Sequence, residues 1–209
     1  MASMSESWDR IHRWLGANAR KILQGLNPPA TATEIDSTEL ELGMQMPGDW
    51  HELYRTHNGL SDKPNLGSLF YSMQFLSLDQ ILSRGVNTKF EESEPPAAAD
   101  RGIQIHDFHN LKWVSFAEDW GDCQIRVDMD PAPDGTSGQV IFTDQTFGTV
   151  ILLAPSISQL LEDFAADLER GRYFLDQECL EDGQEYLSCD PEIDIRNWHH
   201  SPRWKHLKR

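Results

Sequence analysis

Three observations predict an α+β fold, with helices packed on an antiparallel or mixed twisted sheet in a single domain. Apolar residues recur at helical spacing at both ends of the chain's central region, period-two segments follow one another between them, and no repeat of 20 to 50 residues is present. The first helix is predicted over 5–26, where Trp8, Ile11, Leu15, Ile22 and Leu26 share a face and Ser3 with Glu6 forms a capping box. Pro28 and Pro29 stop it, because proline lacks the N–H that a helix interior needs. Thr31 and Glu34 start a second, short helix carrying Ile35 and Leu42 that ends at Gly43. A third follows Pro47, turns Trp50, Leu53 and Tyr54 inward, and closes at Asn58 and Gly59.

Residues 66–76 hold Leu69, Phe70, Tyr71 and Phe75, which predicts one or two strands, and Ser77 with Gln80 caps a short helix through Leu82. The stretch EESEPPAAAD (91–100) has no apolar face and reads as an exposed loop. Cys123, Ile125, Val127 and Met129 then alternate with Gln124, Arg126 and Asp128, predicting a strand with one core face and one wet face. The turn DPAPDGTSG leads to a strand over 139–143, and the turn around Asp144 and Gly148 leads to another over 149–154. A helix over 156–170 carries Leu160, Leu161, Phe164, Ala165 and Leu168, with Gly171 as its stop. Beyond it, residues 176–194 contain eight acidic residues and no Lys or Arg, while 195–209 contain five Lys or Arg and no acid. Both blocks are expected to lie against solvent, since exposed ion pairs are worth only about 0–1 kcal/mol each. Trp198 and Trp204 give the basic block some capacity to pack.

With 209 residues the chain can bury a genuine core, and 39% hydrophobic residues and seven Trp argue against disorder. Its 18 Lys and Arg against 34 Asp and Glu leave a net charge of −16. That balance excludes nucleic acid and anionic membrane surfaces as expected partners, because both are bound by clustered cations. The longest apolar run lies near 150–154, too short to span a bilayer, and the beginning MASMSESWDR has no apolar signal region. Three cysteines, Cys123, Cys179 and Cys189, form no CxxC pair or disulfide framework, and a cytoplasmic location is expected.

The densest polar cluster, AEDWGDCQIRVDMDPAPDG, supplies Glu118, Asp119, Asp122, Asp128, Asp130 and Asp134. Its spacing is not that of a calcium loop, and paired carboxylates suited to glycan hydrolysis cannot be told from Asx turns at strand ends. The histidines form no HExxH, no Cys and His set has zinc-finger spacing, and GxSxG and Gly-rich phosphate loops are absent. His106 and His109 could share a helix face but read as exposed loop residues. No catalytic site, metal or cofactor is therefore expected. Trp8, Trp14, Trp50 and Trp113 fall in periodic segments and are expected in the core. Trp120, between Asp119 and Gly121 in a polar loop, reads either as a lid on the sheet edge or as an interface anchor ringed by carboxylates.

In order and spacing, several segments together resemble the SUKH superfamily, whose namesakes include the yeast Smi/Knr cell-wall assembly regulators. They are Glu39 and Glu41, 46–50, Asn58 and Gly59, 113–116, 119–122, 128–131 and 154–156. The resemblance covers about 28–175, leaving 1–27 as an added amphipathic helix and 176–209 as an acidic-then-basic extension. It implies an α+β domain that works by binding a protein rather than by catalysis. Many bacterial members are implied to be immunity proteins that neutralise toxins such as nucleases or deaminases, whereas fungal members are regulatory scaffolds. The compact chain without long low-complexity flanks points to the bacterial type, and its acidity suits a basic toxin domain. Toxin neutralisation is thus the first expectation and Smi/Knr-type regulation the second. The expected contact surface comprises Asp119, Trp120, Asp122, Asp128 and Asp130, with Trp120 as anchor and the carboxylates giving orientation.

Overall fold

A computed structural model describes residues 3–61, 68–85, 95–105, 108 and 110–207. Helix α1 (Met4–Asn18) begins at the expected capping box, in which Ser3 and Glu6 satisfy each other's backbone N–H groups. The predicted single helix breaks at Ala19, whose non-helical backbone (φ −145°, ψ 65°) separates α1 from α2 (Arg20–Gly25). Ala19 is fully buried, so the bend keeps both apolar faces on the core. Helices α3 (Ala32–Leu42) and α4 (Gly48–Thr56) match expectation: Thr31 and Glu34 cap the first, Gly43 ends it at φ 70°, and Trp50, Leu53 and Tyr54 are buried on the second. Gly59 is required by space as well as by its φ of 78°, since a Cβ there would meet the backbone nitrogen of Ser77 at 2.4 Å.

The region expected to form strands near residue 70 is mostly a 3₁₀ turn (Phe70–Ser72), followed by the two-residue β1 (Gln74–Phe75) and α5 (Leu78–Gly85). Tyr71 takes a left-handed backbone conformation inside that turn, which an extended strand cannot accommodate. Part of the expected loop, β2 (Ala98–Ala99), is a strand that pairs in parallel with a later one. The meander β3 (Trp113–Glu118), β4 (Cys123–Asp128), β5 (Gln139–Asp144) and β6 (Thr149–Ala154) completes a six-stranded sheet ordered β1-β3-β4-β5-β6-β2. Helix α6 (Ile157–Glu169) then runs back across one face, capped by Ser156. The chain is a single α+β domain.

Val114, Val127, Val140, Ile125, Phe142 and Ile151 form one sheet face and pack in the main core with α1, α4 and α6. Each fully buried aliphatic side chain contributes about 1.5–3 kcal/mol as an upper estimate. The opposite face of β4 is not wet. Arg126 and Asp128 are 5% and 0% exposed, because a second cluster of Ile103, Phe108, Trp113, Ile141 and Val150 roofs that face. The backbone carbonyl of Phe108 accepts from Arg126 Nη1 at 2.6 Å, while Arg126 Nε donates to Gln124. Burial pushes the Arg126 guanidinium down to about 10.

The C-terminal region also departs from expectation. After α6, β7 (Tyr173–Leu175) and β8 (Leu187–Cys189) form a two-stranded sheet flanking α7 (Gln177–Glu181). Residues 190–207 then strap back over the domain and bury Ile193, Ile195, Trp198 and Trp204. Arg203 grips the 3%-exposed Asp167 of α6 through two hydrogen bonds of 2.5 and 2.9 Å. The basic block docks because three buried apolar side chains, Ile195, Trp198 and Trp204, accompany its charges, with Ile193 just before it.

Candidate partner-binding rim

The β3–β4 turn displays its tryptophan by a local hydrogen-bond device. Asp119 Oδ1 accepts the backbone N–H groups of Gly121 at 2.9 Å and Cys123 at 3.2 Å, folding the turn around its own carboxylate. Trp120 between them is held at φ 65°, a left-handed conformation costing roughly 1–2 kcal/mol for a non-glycine residue. Its side chain is 68% exposed. The guanidinium carbon of Arg84, in the last turn of α5, sits 4.5 Å from the ring centroid. Arg84 also pairs with Glu118 at 2.6 Å, and burial of Glu118 raises its carboxyl above the ordinary value although Arg84 opposes the shift.

A second turn lies alongside. Asp122 accepts Gln145 N–H through its carbonyl at 3.1 Å and Thr146 Oγ1 through its carboxylate at 2.5 Å, tying the β3–β4 turn to the β5–β6 turn. Phe147 in that turn is 49% exposed and packs against Trp198 and His199 of the strap. One end of the sheet therefore carries two exposed aromatics with Asp119 and Asp122 between them. Phe147 and Arg84 join this rim only through tertiary structure, and no spacing in the sequence announces them.

Of the five residues expected on one contact surface, Asp119, Trp120 and Asp122 come together here. Asp128 and Asp130 do not, since they lie at the other end of β4, about 17 Å away at the rise of an extended strand. Asp128 has no exposed surface to offer: its carboxylate accepts Trp113 Nε1, Asp130 N–H and Gln139 Nε2 at 3.0, 2.8 and 2.8 Å. Asp130 is half-buried and pairs with Lys112 at 3.0 Å. The Asp128 carboxylate builds the turn after β4, and that of Asp130 ties the turn to Lys112.

The remaining candidates have structural surroundings. Among the described residues no group of three or more His, Cys, Asp or Glu is placed to hold a metal ion. Burial pushes the Cys189 thiol up to about 12 and raises Cys123 as well, which removes the thiolate that nucleophilic chemistry needs. His106 and His109 lie outside the described residues. Trp8, Trp50 and Trp113 are buried as expected, while Trp14 is only partly so. A histidine pair that the sequence did not announce joins α1 to the end of α4. His12 Nε2 and His57 Nε2 are 2.7 Å apart, and His57 Nδ1 lies 2.9 Å from the Asn27 carbonyl.

These observations define an α+β domain whose sheet carries apolar clusters on both faces, with an aromatic, acidic rim at one end of it. The chain belongs to the SMI1/KNR4 family (SUKH-1), whose family model matches residues 29–163. It is 26% identical to the cell wall biosynthesis/cell cycle regulator smi1 of Schizosaccharomyces pombe, over 84% of this chain and 38% of that protein. It is 24% identical to the cell wall assembly regulator SMI1 of Saccharomyces cerevisiae, over 91% of this chain and 45% of that protein. A glucan synthesis regulatory protein of Neurospora crassa is also 24% identical, over 84% of this chain and 40% of its own length. The chain thus spans less than half the length of these relatives. The expected bacterial character finds no support in them, since all three are fungal regulators, and the shortness of the chain's flanks is no guide when it matches only part of each. Among the described residues no helix is long and apolar enough to cross a membrane.

Proposed function

We propose that this chain is a non-enzymatic, cytoplasmic binding domain of Smi1 type that regulates cell wall assembly by engaging a protein partner at the Trp120 rim. The observation that carries this reading is the reach of the similarity. It covers 84–91% of the chain in the three fungal regulators, whereas the family model covers only 29–163. Toxin neutralisation, the first expectation from the resemblance, has no comparable support and gives way to regulation. An exposed tryptophan on a rigid turn supports the placement of the contact surface, because large aromatic side chains at low conformational cost dominate interface energetics.

The test is complementation. A Saccharomyces cerevisiae strain lacking SMI1 and expressing this chain is expected to assemble a cell wall as resistant to enzymatic digestion as that of the parent strain and to grow like it. Failure to do so, with the protein expressed and folded, would overturn the regulatory reading.

A further inference from the structure

Resting on the binding role above, we infer that the rim holds a subsite for an arginine side chain of a basic partner segment, built from the free face of the Trp120 indole with Asp119 and Asp122. The structure already shows that this ring accepts a guanidinium, since Arg84 occupies one face at 4.5 Å while the side chain stays 68% exposed. A second cation on the open face is attracted by the same ring quadrupole. The carboxylates supply the directional half of the recognition. Asp119 Oδ1 accepts from Gly121 and Cys123 N–H and Asp122 Oδ2 from Thr146, so among the described residues Asp119 Oδ2 and Asp122 Oδ1 accept no N–H or hydroxyl hydrogen bond, the Cys123 thiol being the further neighbour of Asp119. Two acceptors beside an aromatic face match the planar, multi-donor guanidinium better than the compact ammonium of lysine.

Rigidity makes the subsite more than a patch of charge. Asp119 is fixed by its own turn and Asp122 by the neighbouring one, so an incoming arginine need not order them. The net charge of −16 adds long-range attraction for a basic segment and repels nucleic acid. The partner chemistry that fits is therefore an arginine-bearing protein segment.

The probe is a short Gly-Arg repeat peptide titrated into the full chain, followed by the indole N–H resonance of Trp120, with Gly-Lys and Gly-citrulline peptides of the same length as controls. The Arg peptide is expected to shift that resonance saturably and to bind about 3- to 10-fold more tightly than the Lys peptide. Citrulline, which keeps the shape but not the charge, should give no saturable shift. Trp120→Leu should weaken Arg-peptide binding by a similar factor, read from backbone amide shifts of Asp119 and Asp122, and Asp119→Asn with Asp122→Asn should abolish the preference for Arg over Lys. Equal binding of the Arg and Lys peptides, or Arg binding unaffected by both variants, would overturn the subsite. In the yeast assay, rescue by Trp120→Leu as full as by wild type overturns the subsite and the placement of the contact surface at the rim while sparing the Smi1-type regulatory role. Failure of wild type to rescue overturns the regulatory reading alone, and the titration still decides the subsite.

Discussion

At the scale of single residues, buried polar groups decide more than exposed ones. Asp128 is the clearest case, because three donors converge on a carboxylate with no solvent to replace it. Asp128→Ala should cost about 3 kcal/mol or more in urea unfolding, since buried donors left unmet each cost about 1–3 kcal/mol. Asp128→Asn keeps two acceptances but turns an amide N–H₂ toward Gln139 Nε2, which is fixed by donation to the Gly102 carbonyl. It should fall between wild type and alanine. If alanine costs less than about 1 kcal/mol, the carboxylate is not organising this turn. His12 and His57 give a second residue-scale test. Burial lowers both below the ordinary imidazole value, with the like charge of His57 adding to the effect on His12. With His57 Nδ1 donating to Asn27, His57 Nε2 is the acceptor and His12 Nε2 the donor. The folded state therefore prefers neutral rings, so this contribution is complete above the unfolded histidine value of about 6.5 and lost as pH falls below it. Urea midpoints at pH 7.5 and 5.5 should show the drop in wild type and a smaller one in His57→Gln; equal drops would remove the pair from the account.

At the scale of elements, local signals were legible where they were chemically complete. The capping boxes at Ser3 and Thr31 carry both halves of a reciprocal hydrogen bond within four residues, and both helices start where those residues place them. The meander was legible because β4 to β6 are joined by turns of Asp, Gly and Pro. The polar face of β4 is buried, not wet as its sequence predicts, for a physical reason. Gln124, Arg126 and Asp128 look solvated by type, but they make hydrogen bonds within the protein, and Ile103, Phe108 and Trp113 cover that face. For the rim, Asp119, Trp120 and Asp122 are neighbours in sequence and so were found, whereas Arg84 arrives from a helix more than 30 residues earlier. The strap docks against expectation because burial of Ile193, Ile195, Trp198 and Trp204 outweighs the hydration of its charges. Its ion pair makes this testable: Arg203→Met leaves Asp167 unpaired at 3% exposure and should cost about 2–3 kcal/mol, discounted because Arg203 is itself one-third exposed. Adding Asp167→Leu should recover most of that loss, since removing a buried pair together is far cheaper than breaking it. If the double variant unfolds as readily as the single one, apolar packing and not the ion pair holds the strap at this point.

At the scale of the whole molecule, the excess of negative charge is the property that no single contact explains. The described ion pairs are mostly exposed on at least one side, as in Arg101 with Asp134 and Lys112 with Asp130, and pairs of that kind add little. Against them stands the mutual repulsion of 34 acidic residues opposed by 18 basic ones. Repulsion summed over the surface reaches further than a pair at contact, so screening should relieve more instability than it removes stability. Raising NaCl from about 10 mM to 150 mM shortens the Debye length from about 30 to 8 Å. The thermal midpoint should then rise by about 2–4 °C, the shift that a gain of about 1 kcal/mol produces in a domain of this size. A fall in midpoint would mean that the ion-pair network, including Arg203 with Asp167 and Arg84 with Glu118, outweighs the net repulsion. The same salt series separates folding from recognition: stability should rise while affinity for a basic segment at the rim falls, because screening weakens repulsion within the chain and attraction between partners alike.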